Sequence, residues 1–334
     1  MSIYIPEGYR SSLDLYDTQA SISLIKKTFE ERLSSALHLK RVSAPLFVLE
    51  SSGLNDDLDG KARAVSFNAP HIDKQCVIVH SLAKWKRMAL YNYNFYENNG
   101  LYTDMNAIRK DEDLDNLHSI YVDQWDWEKV ISKENRNLHY LYKTVGLIHQ
   151  CILETLEVLK YKHSSIDTVL EKNLQIFDSE QLIEMYPGLN SKQREYEVVK
   201  KYKSVFIKGI GHKLSDGLAH DNRAADYDDW NLNGDLLYYD ELLDCPIEIS
   251  SMGIRVDENS LLEQLKIKDE EYKLNYKYHQ MIIDKQLPYT IGGGIGESRL
   301  CMLLMNKAHI GEVQSSIWDE ETWNYCKEKG VIIL

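Results

Sequence analysis

The sequence predicts an α+β fold built on a mainly antiparallel β-sheet, and two observations support this class. Amphipathic patterns with apolar residues at three- and four-residue steps predict long helices. Short runs rich in Val, Ile, Tyr and Trp and bounded by Gly, Asn or Asp predict strands. The runs cluster without a helix between each pair, unlike the alternation that gives a doubly wound parallel sheet. The predicted strands cover residues 75–80, 117–127, 204–210, 234–240 and 245–256.

Three segments carry the helical pattern. The first follows Asp17-Thr18 and places an apolar stripe over residues 22–36, and the second keeps the same spacing over residues 138–159. A third pattern runs over residues 261–283. Such stripes are typical of core packing rather than of a cofactor site.

Chain length and composition favour one catalytic domain. A chain of 334 residues can form one large domain, and 6 Pro and 17 Gly leave no room for a long flexible linker. We therefore predict a single domain over residues 17–334, preceded by a loosely structured N-terminal extension at residues 1–16.

The charge balance limits the partners. The chain has 39 Lys+Arg against 52 Asp+Glu, a formal net charge of −13, which argues against duplex or tRNA binding because phosphate recognition needs a dense basic face. No secretory signal and no apolar run of about 18 residues is present, so we expect neither export nor a membrane span. The 5 cysteines lie far apart and never form C-x-x-C, which indicates a reducing, cytoplasmic setting without a zinc site.

A glycine-rich run near the C-terminus is the first candidate for chemistry. Residues 292–296 read Gly-Gly-Gly-Ile-Gly and precede Glu297-Ser298-Arg299 and an apolar stretch, which predicts a strand passing into a helix. Glycines allow a backbone or a flat ligand to approach closely, and a helix N-terminus favours an anion. Arg299 would lie in the first helical turn, placed to stack on a purine or to meet a phosphate. The alternative is a tight turn with close helix–sheet packing.

Two predicted strands carry polar residues on a face otherwise apolar. Alternation puts Gln124 and Asp126 on one face about 6.5–7 Å apart, a pair suited to a small zwitterion. The alternative is a solvated edge strand. Glu248 and Arg255 are seven residues apart, so a bulge near residues 251–253 is needed to bring them to one face. Arg255 could then grip a carboxylate while Glu248 holds Mg²⁺; the alternative is a cross-strand ion pair.

Two charged segments have weaker signals. Residues 81–87 form a cationic cluster in which one charge could meet a substrate anion, whereas Lys84 is predicted on a solvated helix face. An acidic stretch surrounds Arg223 and is predicted to be a solvated loop, in which Asp228 and Asp235 could help to attract a cation. Its acidic members are Asp221, Asp226, Asp228, Asp229 and Asp235.

Four motifs in order resemble the ammonia-dependent asparagine synthetases, the aspartate–ammonia ligase family. They are HSLAKWKR at 80–87, YVDQWDWE at 121–128, SSMGIRVD at 250–257 and TIGGGIGESRL at 290–300. The resemblance extends from about residue 18 to the C-terminus. It implies a catalytic core like that of class II aminoacyl-tRNA synthetases, and a homodimer with residues 42–45 at the interface.

The same resemblance assigns site residues. It implies that Arg109 contacts the α-phosphate of ATP, that Arg299 stacks on adenine or meets the triphosphate, and that Asp235 is the carboxylate beside the nucleotide. Together with Glu248, Asp235 is the expected Mg²⁺ site. Asp228 also matches an acidic position of the family. The resemblance implies aspartate recognition by Asp56, Ser81, Lys86, Gln124, Asp126, Ser251 and Arg255. It implies nucleotide binding by Arg109, Arg223, Asp235, Glu248, Ser250, Gly294 and Arg299.

The implied reaction is the ATP-dependent amidation of L-aspartate by ammonia. The β-carboxylate would attack the α-phosphate to give β-aspartyl-AMP and pyrophosphate, and ammonia would then displace AMP. Arg109 would stabilise the charge on phosphorus, and either Asp56 or Asp126 would take the proton of ammonium. Ammonia is expected rather than glutamine because Ser2 stands where an N-terminal glutaminase needs its cysteine and no glutaminase-sized segment precedes the core.

Two rival functions are weighed against this expectation. An aminoacyl-tRNA synthetase would need an anticodon-binding module and a basic surface, and the sequence predicts neither. A catalytically inactive relative acting as a regulator need not keep transition-state cations, yet Arg109, Arg255 and Arg299 are all present.

Overall fold

The computed structural model describes residues 3–56, 58 and 62–334. Within them the α-helices are α1 (Leu15–Leu37), α2 (Ala83–Asn92), α3 (Leu138–Lys162), α4 (Ser179–Met185), α5 (Ser191–Tyr202), α6 (Glu258–Ile267), α7 (Lys277–Ile283), α8 (Glu297–Leu304) and α9 (Glu320–Glu328). The strands are β1 (Leu39–Arg41), β2 (Phe47–Leu49), β3 (Ser66–Ala69), β4 (Lys74–Ile78), β5 (Gly100–Ile108), β6 (Tyr121–Val130), β7 (Gln175–Asp178), β8 (Ser204–Lys208), β9 (Asp228–Asp240), β10 (Cys245–Arg255) and β11 (Thr290–Gly296).

Eight strands form the main sheet, in the order β1-β5-β6-β11-β10-β9-β8-β7. The outermost pairs, β1 with β5 and β7 with β8, are parallel, and all pairs between them are antiparallel. A mainly antiparallel sheet in an α+β fold is therefore confirmed. The parallel pairs at the two edges were not predicted from sequence.

Two long helices cover the sheet and confirm the first two amphipathic patterns. Helix α1 begins after Asp14, whose side chain accepts from the amide of Asp17, and it buries Ile25, Phe29 and Leu33. The Phe29 ring lies 4.7 Å from that of Trp125 on β6, measured between centroids. Helix α3 buries its own stripe in the same core. The core therefore holds the central strands rigidly from one side.

The third helical pattern is wrong as one continuous helix. Helix α6 ends at Ile267, a 3₁₀ turn covers Glu271–Asn275, and α7 begins at Lys277. Asp269 has a φ of 56°, a left-handed conformation that a continuing helix cannot contain. Both short helices contribute to one hydrophobic cluster, through Leu261 and Leu265 of α6 and Tyr278, Met281 and Ile282 of α7, whereas Tyr272 in the break is exposed.

The N-terminal segment contacts the rest of the domain at several residues. Ile5 and Leu13 belong to the main core, and the Tyr4 amide donates to the side-chain oxygen of Asn116 at 2.9 Å. Tyr9 Oη donates to Glu312 at 3.0 Å. Residues 3–14 contain no helix or strand, and they contact the domain through Tyr4, Ile5, Tyr9 and Leu13. Ser2 lies outside the described residues, so the expectation drawn from it stays a prediction.

Strands β2, β4 and β3 form a separate small sheet. The predicted strand at residues 75–80 is β4, and its end leads through His80 into α2. The segment between β2 and β3 contains Asp56. This small sheet therefore brings two chain segments to one end of the main sheet. No helix among the described residues is long and apolar enough to cross a membrane.

Candidate active site

A cavity of about 760 Å³ lies on the face formed by β6, β11 and β10. Twelve of the fourteen sequence-predicted site residues line it, although they come from distant parts of the chain. The twelve are Asp56, Ser81, Lys86, Arg109, Gln124, Asp126, Arg223, Glu248, Ser251, Arg255, Gly294 and Arg299.

The remaining two predicted residues lie beside the cavity. Asp235 accepts from the Arg223 guanidinium, which itself reaches the cavity. Ser250 alternates with Ser251 on β10 and is 1% exposed, and its hydroxyl has no hydrogen-bond partner among the described residues. The nucleotide-binding role expected for Ser250 therefore has no cavity contact to support it.

A bulge in β10 brings Glu248 and Arg255 to the same cavity, but not where the sequence predicted it. The pairing of β10 with β9 shifts register between Glu248 and Ser250, and again between Gly253 and Arg255. An extra residue in a strand reverses the facing of all that follow. Glu248, Ser251 and Arg255 therefore share the cavity, and Arg255 pairs with other carboxylates.

Those partners of Arg255 are Glu128 and Asp228. Arg255 Nε and Nη2 donate to Glu128 at 3.0 and 2.7 Å, and Nη1 donates to Asp228. The Thr290 hydroxyl donates to the same Glu128 carboxylate at 2.6 Å. Burial opposes the charge of Arg255, but the two carboxylates outweigh it and raise its pKa well above the usual value. Arg255 is thus a fixed, permanently charged guanidinium.

Lys86 forms a second buried cationic centre. Its Nζ donates to Asp126 and, at 2.9 Å, to the carbonyl oxygen of Gly293. Burial lowers the pKa of Lys86, while Asp126 acts in the opposite direction. Gln124 lies two residues before Asp126 on the same face of β6, as alternation predicts. An ammonium, a carboxylate and an amide therefore meet in one wall.

The glycine run forms the floor beneath these groups. A Cβ at Gly292 would lie 1.9 Å from Glu128 Oε2, and one at Gly294 would lie 2.5 Å from Gln124 Oε1. Glycine is required at both positions because side chains of the neighbouring strand cross over the backbone. Close approach, which the sequence indicated, is thus made by the protein's own site residues.

The start of helix α8 places Arg299. Its Nη1 donates to the carbonyl oxygen of Glu248 at 3.1 Å, and its Nε to that of Leu117 at 3.4 Å. Asp123 accepts from the Ser298 amide at 3.2 Å and from the Ser298 hydroxyl at 2.8 Å. The predicted strand-to-helix passage is confirmed, with Arg299 in the first turn.

The acidic stretch around Arg223 is not a solvated loop. Strand β9 begins at Asp228, six residues before the predicted start, and four of the five carboxylates are buried. Each buried carboxylate has a cationic partner, which allows it to leave water. The pairs are Asp226 with Lys84, Asp228 with Arg255, Asp229 with Arg136 and Asp235 with Arg223.

Lys84 is consequently a second correction. It was predicted on a solvated helix face, yet it is 3% exposed, and its Nζ lies 2.9 Å from Asp226 Oδ2. Local sequence showed a cationic cluster in a helix but not the distant Asp226 that pairs with Lys84 in the folded chain.

Two residues that hold the site were missed. Glu128 and Thr290 fix Arg255, as described above, and Glu128 is fully buried. The signal was present, because Glu128 follows Gln124 and Asp126 at alternate positions of the same strand. Thr290 opens the next strand and gave no comparable signal.

The cations and carboxylates of the cavity suit a small zwitterion beside a polyanion. Arg109, which follows β5, donates Nη2 to the His80 carbonyl oxygen at 3.5 Å and lines the same cavity. Arg299 and Arg223 lie on the β10 side with Glu248. No group of three or more possible metal ligands of the His, Cys, Asp or Glu types occurs among the residues described.

Comparison with known proteins places this arrangement in a family. The family model for aspartate–ammonia ligase matches residues 16–330. The chain is 53% identical to the aspartate–ammonia ligase of Clostridium perfringens (strain 13 / Type A), over 99% of both chains. It is 51% identical to that of Ligilactobacillus salivarius (strain UCC118), over 100% of both.

Solved structures with a similar fold are class II aminoacyl-tRNA synthetases. The asparaginyl-tRNA synthetase of Pyrococcus horikoshii, complexed with asparaginyl-adenylate, matches with a TM-score of 0.65 at 15% identity, covering 89% of this chain and 68% of that one. The aspartyl-tRNA synthetase of Entamoeba histolytica matches with a TM-score of 0.58 at 16% identity, covering 92% and 58%. At these identities the likeness shows the fold alone. The family model and the relatives that match over the full length show that the chain belongs to the aspartate–ammonia ligase family and is an enzyme that forms a carbon–nitrogen bond.

Proposed function

We propose that this enzyme converts L-aspartate and ammonia to L-asparagine through β-aspartyl-AMP, with release of AMP and pyrophosphate. One observation carries the proposal: Arg109, Arg255 and Arg299 line a single cavity. A carboxylate must be activated before an amine can displace its oxygen. A site that holds a carboxylate next to an α-phosphate performs that activation by proximity.

Aspartate would bind at the β6 end of the cavity. Arg255 and Lys86 would hold its carboxylates, and Asp126 with Gln124 would receive the α-ammonium. The preformed contacts of Arg255 with Glu128 and Asp228 support this assignment, because they fix the guanidinium before substrate enters. The β-carboxylate would then point towards Arg109.

ATP would bind on the β10 side. Arg299 would stack on adenine or meet the triphosphate, and Arg223 would lie on the phosphate side. Attack of the β-carboxylate on the α-phosphorus forms the acyl–phosphate bond and breaks the bond to pyrophosphate. Arg109 would stabilise the charge that develops on the phosphoryl oxygens.

Magnesium fits at Glu248 and Asp235. Burial, opposed by Arg223 and supported by the nearby Glu248 charge, raises the pKa of Asp235 to about 7. A further cation would balance the negative charge of the two carboxylates, which have one guanidinium beside them. Mg²⁺ is commonly bound by one or two carboxylates together with substrate phosphates. When bound, Mg²⁺ would neutralise triphosphate charge and favour departure of pyrophosphate.

Asp56 and Asp126 are the two candidates to receive a proton from the attacking nitrogen. Both line the cavity, and both are buried, at 2% and 3% exposed.

We further propose a homodimer that acts in the cytoplasm without nucleic acid, with residues 42–45 beside edge strand β1 at the dimer interface. Equilibrium sedimentation at micromolar concentration would test the dimer, and a monomeric active enzyme would contradict it.

The nucleotide product tests the central proposal. Purified enzyme incubated with ATP, aspartate, ammonium and Mg²⁺ should form asparagine, AMP and pyrophosphate in equal amounts. Formation of ADP and phosphate would contradict adenylation and indicate an acyl-phosphate intermediate. Glutamine should not replace ammonium at neutral pH, and its efficient use would refute the proposed nitrogen source.

Arg255→Ala tests the aspartate half of the site. The change should reduce kcat/KM for aspartate about 100-fold or more while altering the ATP dependence much less, because the guanidinium is assigned to the amino acid. Comparable losses for both substrates would contradict that assignment.

A further inference from the structure

A second cavity of about 190 Å³ adjoins the first and is separated from it by Asp56, which lines both. The small sheet, α2 and α7 enclose it through His80, Lys84 and His279. This volume is enough for a molecule of the size of water. The cavity is thus close enough to the aspartate site to supply a small reactant.

Three buried polar atoms in this cavity have no hydrogen-bond partner among the described residues. They are His80 Nε2, His279 Nδ1 and Asp226 Oδ1. The three residues are 1%, 0% and 0% exposed, respectively. A buried polar group without a hydrogen-bond partner lowers the stability of the folded protein, so three in one cavity indicate a ligand that satisfies them.

The neighbouring contacts show that these atoms are acceptors. His80 Nδ1 lies 3.0 Å from the backbone carbonyl oxygen of Asp56, which can only accept, so Nδ1 carries the hydrogen and Nε2 the lone pair. Likewise His279 Nε2 lies 2.9 Å from Asp226 Oδ2 and donates to that carboxylate, and in this tautomer Nδ1 is the acceptor. Burial lowers the pKa of His80 and favours its neutral form. The ligand must therefore donate hydrogens.

The charged groups that line the cavity have both signs. Glu50, Asp56 and Asp226 are acidic and can admit ammonium, whereas Lys84, whose Nζ lies 2.9 Å from Asp226 Oδ2, and Lys273 are basic. The two basic groups favour loss of a proton from a cation that has entered, because a like charge nearby disfavours the charged form. Ammonia is a neutral molecule of the size of water with three N–H donors, and it fits this requirement.

We infer that the second cavity holds the nitrogen substrate and that His80 Nε2 accepts a proton from ammonium to release ammonia there. This inference rests on the proposed function. The ammonia lone pair then forms the C–N bond to the aspartyl carbonyl carbon, and the C–O bond to AMP breaks with its electron pair leaving on AMP. The second proton leaves the new amide nitrogen for the Asp56 carboxylate, which borders both cavities. Protonated His80 and Asp56 return these two protons to solvent.

Two variants of His80 separate proton acceptance from structure. In His80→Asn the amide N–H can replace Nδ1–H as donor to the Asp56 carbonyl, while Nε2 is removed. In His80→Gln the longer side chain can place an amide oxygen near the position of Nε2 as an acceptor. His71→Asn, an exposed histidine in the turn before β4, is the matched control.

Asparagine formation should be measured against ammonium concentration, and aspartate-dependent ATP–pyrophosphate exchange should be measured without ammonium. His80→Asn should lower kcat/KM for ammonium about 100-fold, the scale of general base catalysis, and at least tenfold more than it lowers exchange. His80→Gln should lower it less, and His71→Asn should not change it. Hydroxylamine, which is largely neutral at neutral pH, should recover much of the rate of His80→Asn.

If His80→Asn lowered the rates of ATP–pyrophosphate exchange and of asparagine formation equally, the inference would be overturned, because His80 would then have only a structural role. An unchanged ammonium dependence would overturn it as well, and equal losses with ammonium and hydroxylamine would overturn the proton transfer. If the wild-type enzyme itself catalysed no aspartate-dependent exchange, the proposed function would fall, and the inference with it.

Discussion

Replacing Glu128 by Gln tests how the site holds its main cation. Glu128 accepts from Arg255 Nε at 3.0 Å, from Arg255 Nη2 at 2.7 Å and from the Thr290 hydroxyl at 2.6 Å. Glutamine keeps the shape of the side chain but removes its charge and turns one acceptor into a donor. That donor would face the guanidinium. Arg255 would then keep one carboxylate partner, Asp228.

The size of the effect follows from burial. Glu128 is 0% and Arg255 2% exposed, so solvent does not screen their pair. Removing one partner of a buried ion pair typically lowers the free energy of unfolding by about 3–5 kcal/mol. A displaced guanidinium should also lower kcat/KM for aspartate tenfold to 100-fold, which corresponds to about 1.4–2.8 kcal/mol.

The assay compares Glu128→Gln with Thr290→Val. The valine variant removes one neutral donor to the same carboxylate, so its losses in unfolding free energy and in kcat/KM for aspartate should be smaller. Urea unfolding gives the stability, and initial rates with aspartate or ATP varied give the two substrate dependences. A Glu128→Gln enzyme with wild-type kcat/KM for aspartate would refute the idea that this ion pair holds Arg255. Equal losses for aspartate and ATP would indicate general distortion instead.

Three further outcomes are expected. Arg299→Ala should raise KM for ATP severalfold or more, whereas an unchanged nucleotide dependence in initial rates would contradict contact there. Gly292→Ala should lower kcat/KM for aspartate more than kcat/KM for ATP in the same assay, because the added Cβ would collide with Glu128 Oε2. Equal losses for the two substrates would contradict this expectation. Burial lowers the pKa of His309 to about 4. Between pH 6.5 and 4 the unfolded chain therefore binds a proton at this residue that the folded chain does not bind, so the free energy of unfolding decreases as the pH falls through this range. His309→Asn, which can still accept from the Gly311 amide, should reduce that fall by about 3 kcal/mol in urea titrations, and an unchanged pH slope would count against it.

Much of the site followed from sequence because its residues lie in strands with regular alternation. Gln124 and Asp126 are two residues apart on β6, so their common face depends only on the strand period. Arg299 follows a glycine run that marks a strand-to-helix passage, and the passage lies where expected. In both cases the chemistry-bearing residue and the structural signal are neighbours in the chain.

The errors arose where burial depended on distant partners. Lys84 and Asp226 each read as solvated in their own segments, and only the fold brings them within 2.9 Å. The bulge in β10 lies nearer Glu248 than predicted, because pairing with β9 sets its position and no local residue marks it. Glu128 could have been found by extending the alternation of β6 by two residues, whereas the break near Asp269 depends on a left-handed residue that apolar spacing does not reveal.

The ion pairs of the cavity have a consequence for selectivity. Arg255, Lys86 and Arg223 each face an internal counter-ion, so these three cations exert little net attraction on inorganic anions such as chloride or sulfate. Under the proposed assignment, the substrate is therefore selected by its shape, with two acidic groups and one amine in a fixed arrangement, rather than by charge alone. Discrimination against anions with a single acidic group would then follow from ion pairs that the folded protein itself provides.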